Sequence, residues 1–171
     1  MNLLSAIEDL SSTDREVANR AAAFAGNLGK QGRPLLPLLE QYCIQRVTDD
    51  LRFAEQNFLA LISIARIIRE VDSSNDHSSD IDSCINMLLE FLVADDMRLF
   101  HVSANALSII KERAQRAIPL LLALYSKYQS NDLAKLRIYQ SLNSISPESI
   151  SESLRKECSE IPHFEDWVKT G

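Results

Sequence analysis

Apolar residues recur along this chain at helical spacing. Leu51, Ala54, Phe58, Leu61, Ile62 and Ala65 make one stripe, and Leu99, Val102, Ala106, Leu107 and Ile110 another. Steps of three and four residues put such positions on one face of an α-helix. Glycine usage agrees. The four glycines are Gly26, Gly29, Gly32 and Gly171, and none stands between residues 33 and 170. A parallel α/β sheet or a β-sandwich of this length would need glycine at its turns. The pattern therefore predicts an all-α chain.

The helices also repeat. With Leu99 as reference, a small residue stands four positions on (Ser103), Ala106 and Leu107 follow at seven and eight, and Ile110 at eleven. Asp95 and Asp96 stand just before. The same template started at Val17 picks out Ala21, Phe24, Ala25 and Leu28, after Asp14. Started at Phe53 it gives Asn57, Ala60, Leu61 and Ile64, after Asp49 and Asp50. Started at Ala134 it gives Ile138, Ser141, Leu142 and Ile145, after Asp132. The template starts lie 36, 46 and 35 residues apart. The long interval contains VDSSNDHSSD (71–80), a polar segment of loop composition. Without it the period falls in the range of helical-hairpin repeats.

A shorter apolar helix is predicted before each template helix, at 3–10, 34–45, 85–95 and 117–128. Pro34 and Pro119 sit near helix starts, where a missing N–H is tolerated. Pro147 follows the last template helix, and a polar amphipathic helix over about 148–160 reads as a cap on the end of the array. The expected organisation is a single domain over 1–171, with repeats at about 1–32, 33–80, 81–113 and 114–146 and a cap at 147–171.

The stretch LLEFLVADDMRLFHVSANALSII (88–110) resembles the HEAT-repeat family, whose hairpins join a Leu/Pro-rich helix to one of V-R-x-x-A-x-x-A-L form through an Asp-containing turn. The resemblance spans about residues 1–146. It departs where the family has arginine: Ala18, Ala54, Phe100 and Lys135 stand there instead. What it implies is a short right-handed α-solenoid of about four helical hairpins with a C-terminal capping helix. Packing residues of this kind imply a fold and name no activity.

Charge narrows the choice of partner. The net charge is −6, which disfavours a phosphate-binding surface, because nucleic-acid affinity rests on lysine and arginine. A protein partner with a basic surface suits an acidic chain. Cys43, Cys84 and Cys158 are scattered and show neither a zinc pattern nor a disulfide framework. The opening MNLLSAIEDLSS lacks the basic and apolar regions of a signal peptide. No apolar run is long enough to span a bilayer. The expectation is a cytoplasmic protein.

Candidate chemistry is sparse. The carboxylates before the template helices suit helix capping, which needs only one per turn. Where two stand together, Asp49/Asp50 and Asp95/Asp96, one is left over for an acidic ridge along the hairpin turns. On the template helices, Arg52 with Glu55 and Arg98 with His101 share faces that would line a polar groove. The segment 71–82 carries Asp72, Asp76, Asp80, Asp82 and His77, but lacks the glycine and terminal glutamate of a calcium loop. There is no HExxH, GxGxxG or GxxxxGK[ST] motif. Phe164, Trp167 and Val168 share one face near the C-terminus, which is expected to pack back onto the last repeat.

These readings converge on a noncatalytic protein-binding module, of the toxin-neutralising immunity or adaptor kind, with no cofactor, no metal and no catalytic residue. Its expected binding residues are Asp49, Asp50, Asp95, Asp96, Arg52, Glu55, Arg98 and His101. The alternative implied by the resemblance is a HEAT-like enzyme, a DNA glycosylase or a bilin lyase.

Overall fold

The computed structural model describes residues 2–49, 53–71 and 79–169, and side chains for 2–45, 58–71 and 79–166. Helices dominate, and no strand occurs among the described residues. The chain divides into two compact units, residues 1–106 and 107–171.

The first unit begins with α1 (Leu3–Leu10) and α2 (Arg15–Ala25). Asn2 and Ser5 form a reciprocal capping box at the start of α1. Asp14 caps α2, with Oδ1 accepting from the Glu16 and Val17 amides at 2.9 and 3.4 Å. Then come 3₁₀ turns over Gly26–Leu35, α3 (Leu36–Asp49), α4 (Phe53–Glu70) and α5 (Ser79–Val93). Helix α6 (Met97–Ile110) carries the chain into the second unit. Helix α1 packs on α2 and α3, α2 on α4, and α3 on α4 and α5. The α1–α2 pair therefore meets the α3–α4 pair helix to helix. Leu35, Leu39, Ile64, Ile67, Leu88 and Leu92 are wholly buried.

Two of the internal glycines exist for close approach. A Cβ on Gly26 would stand 2.8 Å from Ser63 Oγ and 2.9 Å from Ser63 Cα, and one on Gly32 would stand 2.9 Å from Ile67 side-chain carbons. Ser63 and Ile67 lie one turn apart on α4, so the 3₁₀ segment is pressed along that helix. Gly29 breaks the segment with φ 52° and ψ −134°, which side chains rarely adopt.

The second unit holds 3₁₀ turns over Lys111–Ala117, α7 (Ile118–Lys127), α8 (Asp132–Ile145), a 3₁₀ turn at Pro147–Ser149, α9 (Glu152–Ser159) and α10 (Phe164–Lys169). Helix α8 packs on α7, on the Lys111–Ala117 turns, on α9 and on α10. It is the hub of this unit, with Ile138 and Leu142 wholly buried.

The template positions behave as packing surface. Ala21, Ala25, Ala60, Leu61, Ile64, Leu99, Ser103, Ala106, Leu107, Ile110, Ala134, Ile138, Ser141, Leu142 and Ile145 are all buried. The connection after α2 also recurs after α6, displaced by 82 residues. Asp14 and Asp96 both accept a helix-start amide two residues on, at 2.9 and 2.8 Å. Gly29 and Lys111 both take positive φ, 52° and 59°. Helices α3 and α7 both follow 3₁₀ turns and carry proline, Pro37 and Pro119, as second residue.

Several expectations need correction. The capping helix over 148–160 is in fact a 3₁₀ turn followed by α9, because Ser151 ends the turn and caps α9 through the Leu154 amide, 3.2 Å away. Asp80 and Asp82 belong to the first turn of α5 rather than to a loop. There they complement the helix dipole. Asp72, Asp76 and His77 lie outside the described residues. Asp132 does not cap α8. Asn131 does, accepting the Ala134 amide at 3.1 Å.

Candidate functional site

Among the expected binding residues, the structure describes the α5–α6 turn most fully. Asp96 precedes α6, and its backbone carbonyl accepts the Phe100 amide at 3.0 Å. Its Oδ1 accepts the Arg98 amide at 2.8 Å, which caps the helix. The Arg98 guanidinium folds back onto the same carboxylate, with Nη2 at 2.7 Å from Oδ2 and Nε at 3.1 Å from Oδ1. This fork-to-fork pairing holds Asp96 well below the usual carboxylate range, at about 2. The side-chain hydrogen bonds from Arg98 lead that effect.

Thus Asp96 and Arg98 neutralise each other at the helix start. Asp95 is exposed and is the spare carboxylate of the pair. His101 is half-buried, its ring meeting the edge of Phe100 at 5.1 Å and 72°. Arg98 and His101 are neighbours along the helix, but Arg98 is directed at its N-terminus. Asp49 is the last residue of α3. Its side chain and that of Glu55, as well as Asp50 and Arg52 altogether, lie outside the described residues. Trp167 and Val168 belong to α10, and their side chains are likewise outside the described residues. Phe164 meets Tyr139 edge-on at 5.1 Å, as expected of a segment folded back on the last hairpin.

An open cavity of about 370 Å³ lies between the end of α1 and one face of α3, lined by Leu10, Ser11, Ser12, Leu38, Gln41, Tyr42 and Gln45. Its lining carries no formal charge. The Tyr42 hydroxyl is bonded to the Asn19 side-chain oxygen, and Ser12 Oγ accepts the Asp14 amide at 3.1 Å. These hydroxyls are engaged in local structure.

The three cysteines are buried. Burial pushes the Cys43 thiol far up and the Cys84 thiol up to about 12, and it also raises Cys158. None has the character of an activated thiolate. No group of three or more His, Cys, Asp or Glu side chains is arranged to hold a metal among the described residues. None of the helices searched among those residues is long and apolar enough to cross a membrane.

One polar cluster escaped the sequence reading. Lys135 is 7% exposed, and its ammonium lies 3.2 Å from Asp132 and 3.4 Å from Glu157 of α9. Burial pulls that ammonium down, and the two carboxylates outweigh it, so it is held above its ordinary value. Beside it the Tyr125 hydroxyl of α7 lies 3.5 Å from Cys158 Sγ. The sequence did carry a signal: Lys135 stands in the template column where Ala18 and Phe100 are buried core. A lysine in an apolar column needs counter-charges, and α9 supplies one.

No protein-family model, curated protein or solved structure matches this chain.

Proposed function

We propose that this protein is a noncatalytic protein-binding module, a short array of HEAT-like hairpins that takes a basic protein surface, in the manner of a toxin-neutralising inhibitor or an adaptor. The observation that carries this reading is the division of charge. Residues 1–106 hold nine Lys and Arg against sixteen Asp and Glu, a net −7, while residues 107–171 hold nine against eight, a net +1. The acidity of the chain belongs to the first unit alone. A field of one sign over one unit steers an oppositely charged partner and suppresses like-charged ones.

Among the exposed described carboxylates suited to that contact are Asp95 and, on α5, Asp82 and Glu90. Asp96 sets the start of α6 and is neutralised by Arg98, so its part is to hold the turn. Asp49 and Asp50 complete the ridge in this reading, and Glu55 and His101 the groove beside it.

The test is capture of a partner by the full chain, followed by affinity measurements at low and high salt. Charge reversal at Asp49, Asp50, Asp82, Glu90 and Asp95 should weaken binding strongly, and salt should weaken wild-type binding, because exposed charges are screened beyond about 8 Å at physiological ionic strength. Reversal of Glu152, Glu160 and Glu165 in the second unit serves as control. A partner that binds independently of salt, and as tightly to the reversed first unit, would overturn the proposal.

A further inference from the structure

Helices α9 and α10 are held differently from the rest of the second unit. On α8 most residues are buried, including Ala134, Lys135, Leu136, Ile138, Tyr139 and Leu142. On α9 only Leu154 and Cys158 are buried, one turn apart, with Ile161 following. Glu152, Ser153, Arg155, Lys156, Ser159 and Glu160 face water. The described attachments include Glu157 to Lys135 at 3.4 Å and to the Tyr125 side chain, Cys158 to the Tyr125 hydroxyl at 3.5 Å, and the edge of Phe164 on Tyr139 at 5.1 Å. A break between helices precedes them. Helix α8 ends at Ile145, Ser146 takes φ −162° and ψ 89°, and Pro147 opens a single 3₁₀ turn closed by the Ser149 amide on the Ser146 carbonyl at 2.9 Å.

We propose that α9 and α10 form a strap that opens as a unit about Ser146–Ile150 while the α7–α8 hairpin stays folded, with the Lys135–Glu157 pair as its latch. The strap covers the α8 face that bears Lys135 and Tyr139, one turn apart, together with Tyr125 of α7. In the closed state the Lys135 stem is out of water and its charge is met by Asp132 from its own helix and Glu157 from the strap. Loss of Glu157 leaves the ammonium at the end of a buried stem with Asp132 as its described counter-charge, and opening the strap hydrates that stem. The latch thus couples a buried charge to the position of the last two helices. The rest of α8 keeps its contacts with α7 and the Lys111–Ala117 turns, so the strap can leave without unfolding the hub. Elements held by a narrow apolar stripe are those that open below the global unfolding free energy.

The chain contains its own reporters. Cys158 lies on the strap and is buried only while it is closed, whereas Cys43 and Cys84 are buried in the first unit. Thiol labelling of the full native chain, resolved by cysteine, should modify Cys158 well before the other two. Glu157→Ala should speed Cys158 labelling about two- to fivefold, the scale of a partly exposed ion pair, and leave Cys43 and Cys84 unchanged. Lys135→Met removes the charge that needs Glu157, so adding it to Glu157→Ala should restore slow labelling. Amide exchange of the wild type provides a reading free of substitutions, with 152–159 exchanging faster than 132–145. Labelling of all three thiols at one common rate, equal exchange of α8 and α9, or no effect of Glu157→Ala on Cys158 would overturn the proposal.

Discussion

The Asp95–Asp96 pair allows the capping argument to be tested within one turn. Asp96 accepts the Arg98 amide at 2.8 Å and its guanidinium at 2.7 and 3.1 Å, while Asp95 is exposed. Asp96→Ala removes both the cap and the ion pair and should cost about 1–2 kcal/mol. Asp96→Asn keeps an oxygen for the amide and loses the charge. Taken at face value, a carboxyl lowered from 3.8 to about 2 corresponds to about 2.5 kcal/mol of preference for the ionised form. Arg98 is 46% exposed, so solvent screening cuts this to about 0.5–1 kcal/mol. Asp95→Asn should fall within about 0.5 kcal/mol of wild type. Urea unfolding followed by far-ultraviolet circular dichroism measures all three. The pH dependence has a definite sign. The folded-state value is depressed, so the contribution of the charge is complete above about 4 and is lost as pH falls towards about 2. The deficit of Asp96→Asn should therefore shrink by about half or more over that interval. Equal losses from Asp95→Asn and Asp96→Ala, or a deficit of Asp96→Asn that does not change with pH, would refute the reasoning.

Other substitutions probe the fold at single points. Gly26→Ala places a methyl against the Ser63 backbone, 2.9 Å from its Cα, and should cost about 1–3 kcal/mol in urea unfolding. Gly29→Ala makes only ordinary van der Waals contact, with Glu70 carbons at 3.7 Å, so its loss of about 1 kcal/mol should come from the positive φ alone. Lys111, at the equivalent place after α6, carries φ 59°; Lys111→Gly should raise the melting temperature by relieving about 1 kcal/mol of strain. Asn131→Ala should destabilise by about 1 kcal/mol through loss of the α8 cap; Asp132→Asn should cost less, because its neighbour Lys135 retains Glu157.

Much of the scaffold is local and so was legible in one dimension. Helical periodicity is a property of each segment, and the template marked the buried faces of α2, α4, α6 and α8 before any contact was known. The repeated aspartates marked where those helices start. At Asp14 and Asp96 that reading holds to the atom, because a cap bonds only to amides two or three residues away. At α8 it missed by one residue, since Asn131 offers the same acceptor as Asp132, and composition does not choose between adjacent caps.

Contacts between elements decided the rest. Three internal glycines identified a special segment, but only the packing of α4 shows that Gly26 and Gly32 make room for Ser63 and Ile67 while Gly29 supplies a turn. Lys135 looked like one more departure from a degenerate pattern until α9 brought Glu157 against it. The net charge of −6 is a property of composition, and its concentration in the first unit follows from where the chain divides. Sequence alone determined the helices, their buried stripes and most of their starts, because these depend on spacing within a few residues. The tertiary structure determined which charges are spent on each other and which face water, because a charge is satisfied through space by whatever the fold places beside it.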